Sequence, residues 1–186
     1  REALGRGRGP GDPPIAVDYL GQDHAATPLR VLGSIAARLA PGLAASGVTL
    51  TARTRAARLL PAPPLDGGPW DLVLVGNTLS ELTEDLESAR RWLAPIWERL
   101  APGGLMLVLE PGLMKVTELL CGLRDGMGLA PDATILSPCT HHGPCPLLGS
   151  NAPRRQWCHQ EIAWTRPRLV QTVDDLTGLR KDRLTL

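Results

Sequence analysis

Apolar positions follow two rhythms along the chain: short aliphatic runs that suit strands, and helical repeats with charged residues between them. Ile15-Ala16-Val17-Asp18-Tyr19 predicts a first strand. Pro28 then opens a helix whose apolar residues Leu29, Leu32, Ile35, Ala36 and Leu39 recur at helical spacing until Pro41-Gly42 is expected to stop it. Val48-Thr49-Leu50-Thr51 predicts a short second strand. Four prolines and two glycines between Pro61 and Pro69 make that stretch a loop. Asp71-Leu72-Val73-Leu74-Val75-Gly76 follows, a run without polar interruption that reads as a fully buried central strand.

Beyond Leu79, the residues Leu82, Leu86, Leu93, Ile96 and Leu100 mark one face of a long helix, with Pro95 expected to kink it. Ala101-Pro102-Gly103-Gly104 breaks the chain before the buried strand Leu105-Met106-Leu107-Val108-Leu109-Glu110, and Pro111-Gly112 ends it. A further helix runs to about Met127, and Ile135-Leu136 is a candidate last strand. The alternation predicts an α/β fold, a parallel sheet covered on both faces by helices. It divides the chain into a Rossmann-like core over residues 1–136 and a cysteine-rich region with final strand and helix elements over residues 137–186.

Composition narrows the function classes. The chain has 186 residues, 43% apolar and 21% charged, values of one folded domain with a real core. Few aromatic residues beside abundant Ala, Leu, Arg, Gly and Pro fit a GC-rich coding bias. A formal net charge of +1 excludes a protein that coats nucleic acid by bulk charge. No apolar run reaches the roughly 20 residues that span a bilayer, and no secretory signal opens the chain, so an intracellular protein without a membrane partner is expected. The four cysteines are then read as thiols or metal ligands before disulfides. A start at Arg1 and an end at Leu186 in mid-element lead us to expect a fragment.

Ligands of doubly wound sheets bind outside the carboxyl ends of the strands. Asp18 is expected near such an end, placed to accept hydrogen bonds from ribose hydroxyls. Gly76 and Asn77 end the strongest strand, where a small residue allows close approach and an amide can bond an adenine edge. The plainer alternative is that Asp18 and Asn77 only end strands or cap turns. Gly5-Arg6-Gly7-Arg8-Gly9 looks like a phosphate loop but lacks the strand and helix that must flank one, so it reads as a connection after a possible helix end at Arg1–Leu4.

The sharper signal is Cys139-Thr140-His141-His142-Gly143-Pro144-Cys145-Pro146-Leu147, followed by Trp157-Cys158-His159. Three thiols from one proline-stiffened loop suit an iron-sulfur cluster or zinc. Their spacing matches neither zinc-finger pairs nor ferredoxin runs. Metal ligation, buried structural thiols and a disulfide all stay open from the chemistry alone.

Three marks in order, Asp18, then Asp71 to Leu82, then Leu100-Ala101-Pro102-Gly103-Gly104 leading into Leu105 to Glu110, resemble a class I methyltransferase without its first strand and glycine loop. With Leu79-Ser80-Glu81-Leu82, Leu109-Glu110-Pro111-Gly112 and the cysteine loop, the chain resembles over nearly its whole length the methyltransferase-like family that assembles the mitochondrial small ribosomal subunit, together with its bacterial relatives. In that family a Cys-Pro-His-x-x-x-Cys-Pro loop and a Trp-Cys-His-Phe stretch supply cluster ligands, which implies Cys139, Cys145 and Cys158 here. Thr140 and Gln160 depart from the family's Pro and Phe.

The resemblance implies a Rossmann-like methyltransferase sheet with an inserted or appended metal-binding loop, S-adenosylmethionine as cofactor and a four-iron, four-sulfur cluster, with zinc as the alternative. It implies small-subunit ribosomal RNA or assembly intermediates as partners, in the cytoplasm if bacterial and in mitochondria if eukaryotic. A fourth cluster ligand is expected beyond Leu186, because Cys121 lies in an apolar helical stretch and reads as core, while His141, His142 and His159 are further candidates to complete the site or to contact phosphate. The spacing lacks the tight three-cysteine run of radical chemistry. Arg154, Arg155, Arg166, Arg168, Arg180, Lys181 and Arg183 are candidates for phosphate contact or a solvated surface. Two functions follow, a methyltransferase acting on RNA, with no catalytic base identified, and a non-catalytic assembly factor whose cluster stabilises or senses.

Overall fold

The computed structural model describes residues 13–61, 63, 67–128, 133–139, 141–148, 157–178 and 183–185. The expected helix end at Arg1–Leu4 and the glycine-rich connection as far as Asp12 lie outside them, as do Arg154, Arg155, Arg180 and Lys181. The chain forms two compact units, Arg1–Pro64 and Leu65–Leu186, so the cysteine loop falls within the same unit as the strands from Trp70 onward.

In the first unit, β1 (Ile15–Asp23) and β2 (Val48–Ala56) pair in parallel in unbroken register, with α1 (Ala26–Ala45) between them in sequence. Both strands run past their expected ends. β2 carries Thr and Arg in place of an apolar run, and Arg53 donates from Nε and Nη2 to the two carboxylate oxygens of Asp18 on β1, at 3.3 and 2.7 Å. The helix packs against the strands at Leu29, which is buried, and at Gly21, where an added Cβ would overlap Leu32. Pro41 does not stop α1. Its fixed φ fits a helix, so the chain loses one hydrogen bond yet continues until Gly47 turns it with φ of 74°.

In the second unit, β3 (Trp70–Gly76) and β4 (Leu100–Leu109) form another parallel pair. The Pro102-Gly103-Gly104 stretch is absorbed as an irregularity of β4: Trp70 pairs with Leu100, and Leu72 with Leu105. Gly104 is required there, since a Cβ would meet the carbonyl oxygens of Ala101 and Trp70 at 2.9 Å. The long helix expected from Leu79 is two helices, α2 (Leu79–Leu82) and α3 (Leu86–Trp97), with Pro95 near the end of the second. Capping chemistry makes the break: Asp85 donates its N–H to Thr83 Oγ1 at 2.9 Å, and its carboxylate accepts from Ser88 N at 2.8 Å.

Helix α4 (Met114–Gly128) lies against α3, where Gly122 and Gly126 let Leu86 and Arg90 approach closely. Leu79, Ala89, Trp92, Leu93 and Ile96, with Leu119 and Leu123 of α4 and Val75 of β3, form the core. The last elements are β5 (Glu161–Ala163), α5 (Arg168–Thr177) and β6 (Arg183–Thr185), with β5 and β6 antiparallel. Ile135-Leu136 is not a strand.

The described strands therefore pair as three separate two-stranded sheets, and the single sheet expected from the alternation is not among them. The expectation that β3 is fully buried is also corrected. Val75 is 5% exposed, but Leu72 and Leu74 on the opposite face are 60% and 56% exposed, because helices of this unit cover one face only.

Candidate functional site

The cysteine loop is held by α4 and by the turn before it. Pro111 and Gly112 stop β4, and the Trp157 indole donates to the Gly112 carbonyl at 2.8 Å, bringing Cys158 back to the start of that turn. His159 stacks on the Trp157 ring with centroids 4.8 Å apart. At the other end of α4, Asp125 accepts the Cys145 N–H through both carboxylate oxygens, at 3.1 and 2.9 Å. The neighbouring Arg124 donates to the carbonyls of His141, at 2.6 Å, and Gly143, and pairs with Asp125 at 2.6 Å.

This grip places all four cysteines together, including one that the sequence had assigned to the core. Cys121 sits one helical turn before Asp125, on the same face of α4. Its thiol is half-buried and lies near those of Cys145, Cys158 and Cys139. Burial first, then the neighbouring Cys145 thiol, pushes the Cys121 thiol up to about 12. Burial likewise raises Cys158, followed by the charges of Cys139 and Cys145. Each thiol so raised must release a proton before it can bind metal.

None of the four forms a disulfide. Among the described residues, no three His, Cys, Asp or Glu side chains are already set about one point as a bound metal ion requires. The thiols are gathered, but their sulfurs do not yet form a cage. The exposed rings of His141, His142 and His159 do not complete one: His141 faces Arg124, at 3.2 Å, and His159 its own stack and the Trp157 carbonyl, at 3.0 Å.

Of the residues read as cofactor contacts, Asp18 is placed differently from expectation and Gly76 and Asn77 are placed as expected. Asp18 is in the middle of β1, exposed and occupied by Arg53; the strand end is at Asp23, whose carboxylate accepts the Ala25 N–H at 2.7 Å. The alternating Tyr19-Leu20-Gly21-Gln22 stretch extends the strand, and its glycine masks that extension in a propensity reading. Gly76 and Asn77 do end β3, and Asn77 turns the chain with φ of 48° while its N–H bonds the Leu109 carbonyl at 2.8 Å.

Sequence reasoning missed what fixes this turn. Glu110, 2% exposed at the end of β4, accepts from the N–H groups of Thr78, Leu79 and Ser80 at 2.7, 2.8 and 3.3 Å and from Ser80 Oγ at 2.6 Å. Those amides are thus taken, and what the turn offers a ligand is the exposed Asn77 side chain. Of the basic tail, Arg166 is held by the buried Asp174 at 2.7 Å and is not available to phosphate.

No curated protein and no solved structure matches the chain. The family model described as mitochondrial small ribosomal subunit Rsm22 matches residues 22–181, which takes in α1, β2, the β3–β4 pair, α4 and the cysteine loop and leaves out all but the end of β1. The chain belongs to the mitochondrial small ribosomal subunit Rsm22 family.

Proposed function

We propose that this chain works on the small ribosomal subunit as an assembly factor, with Cys139, Cys145 and Cys158 holding an iron-sulfur cluster that fixes the loop over α4. The observation that carries the cluster reading is the gathering of four free thiols by contacts from α4 and Gly112. Their chemistry fits such a group, because thiolates are the soft ligands that iron-sulfur clusters take. Cys121 stands beside the three as a further thiol donor. The family's description supports the ribosomal partner. No described helix is long and apolar enough to cross a membrane. The compartment follows the ribosome: mitochondrial as the family is described, cytoplasmic for a bacterial chain.

When bound, the cluster supplies rigidity and a group that is lost when iron or sulfide is scarce. Residues of this chain do the rest: the thiols bind, α4 orients them, and exposed basic side chains such as Arg168 meet RNA phosphates. The test is iron and acid-labile sulfide content with a visible spectrum on anaerobically purified protein, beside sedimentation with small subunits. Wild type is expected to carry both elements and to co-sediment, and a Cys139→Ser, Cys145→Ser double variant to lose both properties. Zinc, or no metal, in the wild type overturns the cluster.

A methyltransferase reading draws on a separate observation, the parallel strand pairs ending in Asp23 and in Gly76-Asn77. In it Asn77, at the carboxyl end of β3, bonds the adenine of S-adenosylmethionine. Equilibrium dialysis with labelled cofactor tests it. Binding that weakens in Asn77→Ala supports the reading, and absence of binding to the wild type removes it.

A further inference from the structure

Two consecutive side chains of α4 grip the backbone of the segment from Cys139 to Cys145 at three points. Asp125 takes the Cys145 N–H, and Arg124 takes the carbonyls of His141 and Gly143, which lie between the two cysteines. Its described residues have no regular secondary structure, and among the described residues around it the backbone supplies one bond, from Leu148 N to the Cys145 carbonyl at 3.2 Å. Arg124 is 12% exposed and Asp125 24%, so both ends of the pair are shielded from water, where charge-assisted bonds are strong. Arg124 Nε, also buried, has no partner among the described residues. Among the described residues, the hydrogen bonds of both side chains run to each other and to this loop.

We propose that Arg124 and Asp125 are positioning residues: together they preset the Cys139–Cys145 loop for the metal group, and the Arg124 guanidinium offsets the negative charge that the thiolates and cluster bring. The inference rests on the cluster reading above. It accounts for two features at once. A loop rich in proline and glycine acquires one backbone path without a sheet or helix, and a cation stands beside Cys139 and Cys145, whose charges it feels. Each role has its own side-chain requirement. Presetting the path needs the planar fork of arginine and the paired oxygens of aspartate, whereas offsetting charge needs only a cation.

The test uses the full chain, purified anaerobically, as wild type, Asp125→Ala, Arg124→Lys and Arg124→Gln. Far-UV circular dichroism first establishes that each is folded. Iron loss to a chelator is expected to run about 10–100-fold faster in all three variants, the range seen when groups behind metal ligands are removed. The reduction potential is expected to fall in Arg124→Gln and to hold in Arg124→Lys, a split that a merely structural residue would not give. Hydrogen exchange at the Cys145 amide in the metal-free chain is a second measurement, expected to accelerate in Asp125→Ala. Should that variant not fold, Asp125→Asn replaces it, keeping one acceptor oxygen and losing the charge pair. A wild type that holds its cluster beside variants with unchanged iron loss and potential overturns the clamp alone. A wild type without iron overturns the clamp and the cluster reading together.

Discussion

Glu110 shows how one carboxylate can set a turn. It is buried where β4 ends, and it is compensated by the first N–H groups around α2 and by the Ser80 hydroxyl, so both oxygens are engaged. Glu110→Ala would leave these donors facing a gap, and with buried donors costing about 1–3 kcal/mol when unpaired, a loss of about 3 kcal/mol is expected. Urea unfolding at neutral pH measures it. A midpoint equal to the wild type would mean that water replaces the carboxylate fully. Glu110→Gln, which keeps one acceptor oxygen, is expected to lie between the two. The same scale explains why the candidate site was only partly legible. Cys139, Cys145 and Cys158 announce themselves by loop composition, whereas Cys121 is masked by the leucines around it. Its position one turn before Arg124 and Asp125 becomes informative only once those two side chains are seen to hold the loop.

At the scale of elements, the helix break at Thr83-Glu84-Asp85 is set by hydrogen bonds and was hidden by an apolar periodicity that runs on through it. Asp85 caps α3, and its carboxyl lies below the ordinary value of 3.8, chiefly through the Ser88 hydroxyl and then the Ser88 N–H. A depressed folded value means that the cap contributes stability above the unfolded value and loses it as pH falls through the folded one. Asp85→Asn keeps a capping oxygen but does not titrate. The wild type is therefore expected to melt higher than Asp85→Asn at neutral pH, with the gap closing as pH drops below 3.8. A gap that stays constant in acid would show that the charge has no part in the cap. Element identity was legible wherever apolar spacing was clear, as in α1, β3, β4 and α4. Ends were not, because Pro41, Gly21 and Gly104 are residues of interruption that here sit inside continuous elements.

At the scale of the molecule, the parallel strand pairs make the α/β class readable from alternation alone, but the number of sheets is a long-range property that local spacing does not carry. One physical consequence is visible on the second unit. Leu72 and Leu74 of β3 and Leu105, Leu107 and Leu109 of β4 lie on one face in register, each 39–60% exposed. Five leucines side by side are a contiguous apolar patch of the kind that binds hydrophobic probes and drives association. The chain of residues 1–186 is expected to enhance the fluorescence of an anilinonaphthalene dye and to sediment as larger species when concentrated. Leu74 and Leu107 face one another across the pair, and replacing both by threonine preserves strand preference while removing methyl surface. The Leu74→Thr, Leu107→Thr chain is expected to keep its circular dichroism spectrum and to lose roughly a third of the dye signal, in proportion to the apolar area removed. A spectrum and dye signal both equal to the wild type would show that the patch is not what the dye reads, and the association would then need another surface. A collapse of the spectrum would instead show that these side chains hold the strands together, a role their exposure argues against.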